Sequence, residues 1–80
     1  MYRILVVEDD EVIAKTIRQH LQSWNYEDFA VADFNSVMEE FARVKPHLVL
    51  MDIRLPFHNG FYWCTEIRKY QSCRLYLSLR

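Results

Sequence analysis

The residues best able to do chemistry are three carboxylates: the adjacent pair Glu8 and Asp9, and Asp52, each following a short apolar run. Those runs, Arg3-Ile-Leu-Val-Val7 and His47-Leu-Val-Leu-Met51, lack polar alternation, so they read as strands covered on both faces inside a parallel sheet. Ligands of parallel sheets bind at the carboxyl ends of the strands, near the point where the strand order reverses. That rule brings Glu8, Asp9 and Asp52 to one edge of the sheet. Carboxylates crowded together repel, and a cation offsets the repulsion. Their hard oxygens suit Mg²⁺ or Mn²⁺ better than zinc, and Mg²⁺ takes one or two carboxylates together with waters and phosphate oxygens. The chemistry expected is metal-assisted phosphoryl acceptance. One Asp52 oxygen would attack phosphorus while the cation bridges its other oxygen and the incoming group.

The elements that must position these groups alternate along the chain. After Asp9 the apolar period becomes helical: Ile13, Ile17, Leu21 and Trp24 form one stripe, with Lys15, Arg18, Gln19 and Gln22 turned away from it. This first helix starts near Asp10. A short strand follows around residues 27–30, with Asp28 where an apolar residue would pack better. Ser36 and Glu39 have the spacing of a capping box, and Val37, Met38, Phe41 and Ala42 make the apolar face of a second helix that Pro46 helps to end. After the third strand, a loop containing Pro56 leads to Gly60 and to a third helix ending near Tyr70. That helix is expected to bury Phe61, Cys64 and Ile67 and to expose Glu66, Arg68 and Lys69. Residues 75–79 read as a fourth strand, which adds Ser78 to the acidic edge. The order βαβαβαβ fits right-handed crossovers and a parallel sheet with helices on both faces.

Eighty residues, 51% of them apolar and only one a glycine, make one domain or part of one. A net charge of −1 with interspersed signs gives no basic footprint, so no direct contact with nucleic acid is expected. Cys64 and Cys73 form no C-x-x-C pair and no signal peptide precedes the first charges, which points to a reduced, cytoplasmic setting. No apolar stretch approaches the roughly 20 residues of a membrane helix. A soluble chain without membrane contact is expected.

Plainer readings compete residue by residue. Asp9 or Asp10, taken alone, is equally well a helix N-cap. Asp52 is not, because Ile53-Arg54-Leu55-Pro56 does not start a helix. His20 reads as a solvated helix residue. His47, His58 and Cys64 match no zinc-ligand spacing. Tyr62 and Trp63 read as partly buried aromatics rather than a base-stacking platform, since no basic groove accompanies them. Cys64 reads as a small core residue.

Two segments, Arg3-Ile-Leu-Val-Val-Glu-Asp-Asp-Glu11 and Leu48-Val-Leu-Met-Asp-Ile-Arg-Leu-Pro56 with Gly60 after it, resemble the receiver domain of two-component response regulators. The resemblance covers the whole chain. It implies a flavodoxin-like fold, here as β1-α1-β2-α2-β3-α3-β4, and phosphorylation of Asp52 by a sensor histidine kinase. It further implies Asp9 as a direct Mg²⁺ ligand, Glu8 acting mainly through a bound water, and the Arg54 backbone carbonyl as a third protein oxygen. Ser78 falls where the family's switch hydroxyl donates to a phosphoryl oxygen. The Glu-Asp form of the pair resembles the OmpR-like winged-helix regulators, in which the receiver controls a DNA-binding output domain. Phe61, Trp63, Cys64, Ile67 and Arg68 resemble the subset serving peptide-antibiotic sensing and efflux. Tyr62 and Trp63 are then candidates for a kinase-docking surface, and the chain is not an enzyme in its own right.

The departures from the family carry expectations too. Residues 1–80 correspond to roughly the N-terminal two-thirds of a receiver domain, without the fifth strand and its lysine and without an effector domain. The segment Gln71-Ser-Cys-Arg-Leu-Tyr76 is unusual for the family, with Arg74 entering a central strand, as in a truncated or frameshifted product. An uncovered apolar edge strand pairs readily with another chain, so a homodimer or swapped assembly is expected. A second function class is an interaction fragment without signalling chemistry. A third, an aspartyl-phosphate phosphatase of haloacid-dehalogenase type, wants an acid two residues after the nucleophile, where this chain has Arg54. A nucleotide-binding domain would need a glycine-rich loop after the first strand, and the single glycine is elsewhere.

Overall fold

The computed structural model describes residues 1–70 and 74–78. Along them run β1 (Arg3–Val7), α1 (Glu11–Ser23), β2 (Glu27–Ala30), α2 (Val37–Val44), β3 (Leu48–Asp52), α3 (Gly60–Tyr70) and β4 (Arg74–Ser78). Every strand pair is parallel and the order is β2-β1-β3-β4, so the flavodoxin-like sheet forms with its order reversing between β1 and β3. β4 lies one residue earlier than its apolar pattern suggested; Leu79, Gln71 and Cys73 lie outside the described residues. Arg74 is exposed at the start of β4, where its backbone N–H donates to the His47 carbonyl at 3.3 Å.

The two central strands are apolar on both sides because each side has a core. Leu5, Val7, Val49 and Met51 join Val37, Phe41, Trp63 and Ile67 beneath α2 and α3, while Ile4 and Val6 join Leu21 beneath α1. Each such side chain removed from water contributes about 1.5–3 kcal/mol, which holds β1 and β3 side by side.

Asp10 caps α1, its Oδ1 accepting from the N–H groups of Val12 at 3.0 Å and Ile13 at 3.2 Å. Only Leu21 of the expected stripe is fully buried; Ile13 and Ile17 are half-buried and Trp24 is 64% exposed. Trp24 lies past the last helical turn, where the chain bends through Asn25 at φ 63°, so it leaves the direction of the stripe. Arg18, half-buried, and Gln22, exposed, both reach across to β2. Arg18 Nε and Gln22 Nε2 donate to Asp28 Oδ2 at 2.5 and 3.2 Å, which explains an acid in β2. Burial alone would raise the Asp28 carboxyl, but these hydrogen bonds and the Arg18 charge outweigh it and hold the group below the ordinary carboxylate value.

The capping box does not form at α2. Ser36 Oγ donates instead to Asp33 Oδ2 at 3.2 Å, a nearer acceptor supplied by the preceding turn. The buried face of α2 is Val37, Phe41 and Val44, with Met38 half-buried and Ala42 exposed. Arg3 closes the far end of this helix, its guanidinium donating to the Val44 carbonyl at 3.0 Å and the Lys45 carbonyl at 2.8 Å. The α3 face is likewise displaced from expectation: Trp63 and Ile67, four residues apart, are buried, Cys64 flanks them, and Phe61 is 55% exposed.

Gly60 fixes where α3 begins. Its N–H donates to the Ile53 carbonyl at 2.9 Å. A Cβ on Gly60 would run into the Asp52 carbonyl oxygen and lie 3.0 Å from Ile53 Cα, both backbone atoms. Gly60→Ala is therefore expected to destabilise: overpacking costs about 1–3 kcal/mol, more than the roughly 0.4–1 kcal/mol gained from a less flexible unfolded chain. Urea unfolding of the two proteins measures this, and an Ala variant as stable as the parent would refute the close approach. Asp28, with its carboxyl held below 3.8, stabilises the fold above that pH and loses its contribution as pH falls through the lowered value. Acid unfolding of Asp28→Asn is expected to show a flatter dependence below about pH 4; an unchanged slope would contradict the role of the Arg18 pair.

Candidate functional site

Parallel pairing of β1 and β3 sets Val7 against Met51, so the residues that follow them, Glu8 and Asp52, emerge together at the carboxyl edge. Asp9 comes next in the turn before the Asp10 cap. The structure brings Glu8, Asp9 and Asp52 into one cluster, with a carboxylate oxygen from each within 4.8 Å of the others. Asp52 is 2% exposed and Glu8 8%, whereas Asp9 faces solvent.

Backbone amides orient the two buried acids. The Asp10 N–H donates to Glu8 Oε2 at 3.1 Å, and the Arg54 N–H donates to Asp52 Oδ1 at 3.2 Å. Ser78 is the register partner of Asp52 across β3 and β4, and its carbonyl accepts from the Ile53 N–H at 3.4 Å. The expected residues therefore share one edge: three carboxylates in contact range, Arg54 bonded to one of them through its backbone, and Ser78 on the neighbouring strand. A donor set made of oxygens, two of them nearly dry, fits Mg²⁺.

Two spaces open onto this edge. A groove of about 610 Å³ runs from Glu8 and Asp9 along α1 past Lys15 and Gln19. A cavity of about 130 Å³ lies between α1 and β4, bounded by Asp52, Ser78, Tyr76 and Ile17. Glu8, Asp52, Ser78 and the phenol of Tyr76 are the polar residues of its lining among the described residues.

The loop from β3 to α3 turns at Phe57, where φ is 70° and the His58 N–H donates to the Pro56 carbonyl at 2.9 Å. This positive-φ γ-turn is a strained conformation for a bulky residue. It delivers Asn59, whose Oδ1 accepts from the Tyr62 N–H at 3.0 Å and caps α3. His58 stacks on Tyr62 at 4.0 Å and meets Trp63 edge-on at 5.5 Å. This aromatic cluster and the Arg18–Asp28 pair escaped the sequence reading, because both join residues from different elements.

No zinc site forms from the other candidates. His47 sits at the opposite end of β3, its Nδ1 accepting from the Arg3 N–H at 2.9 Å and its ring stacked on Tyr2 at 4.9 Å. His58 is engaged with aromatics, Cys64 packs on the larger core, and His20 is exposed beside Trp24. Among the described residues, Glu8, Asp9 and Asp52 are the one group of His, Cys, Asp and Glu placed to hold a metal. Among them, too, no helix is long and apolar enough to cross a membrane.

Known proteins share both the sequence and the fold. The family model described as the response regulator receiver domain matches residues 4–77. The uncharacterized transcriptional regulatory protein YvcP of Bacillus subtilis is 56% identical over 68 residues, 85% of this chain and 29% of its own length. The N-terminal domain of the nisin resistance regulator NsrR, a lantibiotic response regulator, superposes with a TM-score of 0.88 at 39% identity, over 96% of this chain and 65% of that one. A chain in the crystal structure of histidine kinase ThkA in complex with response regulator protein TrrA matches with a TM-score of 0.87 at 31% identity, over 96% of this chain and 67% of that one. The chain thus spans about a third of the length of the curated relatives it matches. From its acidic edge, its strand order and a family match that runs nearly end to end, the chain belongs to the response regulator receiver domain family.

Proposed function

We propose that this chain accepts a phosphoryl group on Asp52 from a sensor histidine kinase, in a reaction that depends on Mg²⁺. The observation that carries this reading is the convergence of Glu8, Asp9 and Asp52 within 4.8 Å at the reversal in strand order. Bound Mg²⁺ would neutralise the carboxylates and the incoming phosphoryl oxygens. Asp9, Glu8, Asp52 and the Arg54 carbonyl would be the protein groups that hold it. The Asp52 carboxylate attacks phosphorus as the bond to the donor histidine nitrogen breaks. The Arg54 N–H holds Asp52 Oδ1 meanwhile, which fixes the carboxylate plane. Ser78, beside Asp52 in register, donates its hydroxyl to a phosphoryl oxygen.

The kinase partner is supported by the likeness to the ThkA–TrrA complex, and control of transcription by the likeness to YvcP. In this reading residues 1–80 are the N-terminal part of a receiver domain that works in the cytoplasm. DNA contact belongs to an output domain outside these residues.

Incubation with acetyl phosphate and Mg²⁺ is expected to add one phosphoryl group by intact mass, with none added after chelation or in Asp52→Asn. Labelling of Asp52→Asn at the parent level would overturn the assignment. Asp9→Asn is expected to weaken Mg²⁺ binding about ten-fold or more, read as tryptophan fluorescence against Mg²⁺ concentration. An unchanged titration would remove Asp9 from the metal site.

A further inference from the structure

The groove of about 610 Å³ beside the acids lies between α1 and the end of β2 with the turn after it, on the side of the sheet away from β4. Ala14, Ala30 and Ala32 keep it open, and its charge is divided along α1. Glu8, Asp9 and Glu11 gather at the start of the helix, while Lys15 and Arg18 follow along it. The two basic residues differ in what they are free to do. Arg18 is committed to Asp28 at 2.5 Å. Lys15 is exposed and, among the described residues, has no ion pair.

Helix geometry sends that free charge toward the acids. Lys15 stands five residues after the Asp10 cap, about 7.5 Å along the axis. Helical side chains lean toward the N-terminus of their helix, so the four-carbon stem of Lys15 carries its ammonium back over the first turn, where Asp9 opens into the groove. Glu11, one turn earlier, is spaced to pair with Lys15, but it is exposed too, and exposed pairs at that spacing hold weakly.

A phosphoryl donor is an anion, and here it must approach an edge with three carboxylates on a chain of net charge −1. Bound Mg²⁺ offsets part of that repulsion. A cation at the groove offsets more, and its pull grows in proportion to the charge of the donor. We propose that Lys15 is a donor-selecting residue, whose ammonium draws the phosphodonor along the groove between α1 and β2 to the metal site and favours dianionic acyl phosphates over monoanionic donors. This selection rests on the phosphoacceptor reading of Asp52. Lys15 makes and breaks no bond: the phosphoryl group passes from the acyl oxygen to an Asp52 oxygen, and the carboxylate of the donor leaves.

Labelling rates at saturating Mg²⁺ and low ionic strength, read by intact mass, compare acetyl phosphate, a dianion, with phosphoramidate, a monoanion. Lys15→Glu is expected to slow the first about ten-fold and the second about three-fold, as half the donor charge requires. Both effects should fade at about 1 M salt, where charges are screened within about 3 Å. Lys15→Arg should keep the parent rates, and so should Lys45→Glu, which makes the same change in net charge at the opposite edge of the sheet, at the end of α2. Equal slowing of the two donors, slowing that survives high salt, or equal effects of Lys45→Glu and Lys15→Glu would overturn the selection. Lys15→Glu is also expected to bind Mg²⁺ several-fold more tightly by tryptophan fluorescence, a reading that needs no labelling. Unchanged affinity would remove Lys15 from the acidic edge. A parent chain that labels with neither donor would overturn the phosphoacceptor reading and the selection with it, whereas a parent that labels while Lys15→Glu keeps its rates would overturn the selection alone.

Discussion

The pairing of β1 with β3 imposes a charge problem on the whole molecule. With Val7 held against Met51, Glu8 and Asp52 have to emerge side by side at a nearly dry edge, and Asp9 follows within the same few ångströms. Carboxylates placed so are disfavoured by desolvation and by one another. They cannot separate, because the cores on both faces hold the strands in register. Binding a cation and a phosphoryl group is the chemistry such an edge can turn to use.

Much of the remaining structure holds that edge in shape. Asp10 begins α1 immediately after the acids, Gly60 lets α3 start against the backbone of Asp52, and the γ-turn at Phe57 delivers Asn59 as the cap of α3. The far edge is tied by other means: Arg3 closes the end of α2, and His47 accepts a hydrogen bond from the same residue. The two faces of the sheet are unequal. Among the described residues α2 and α3 cover one with a large core, while α1 covers the other and leaves Ile13 and Ile17 half-buried above the cavity at Asp52.

The strands and the acidic edge were legible because unbroken apolar runs have one home, the interior of a parallel sheet, and the carboxyl-edge rule does the rest. Helix faces were less so. An apolar residue fits two adjacent stripes of a helix, and only packing decides: Trp63 outcompeted Phe61 for the core, Val44 took the place assigned to Ala42, and Trp24 fell beyond the last turn. At Ser36 a nearer acceptor, Asp33, defeated the capping pattern. Asp28 looked like a misfit until α1 was laid across β2, since its partners lie on another element. Sequence periodicity describes one element at a time, and these features belong to pairs of elements.

Fluorine NMR of the chain with beryllofluoride, recorded with and without Mg²⁺, tests the central claim most directly, since this phosphoryl mimic binds a carboxylate only where a cation and donors are already in place. Bound resonances that require Mg²⁺ and vanish in Asp52→Asn are predicted. Absence of bound resonances at saturating Mg²⁺, or resonances that persist without it, would contradict the account.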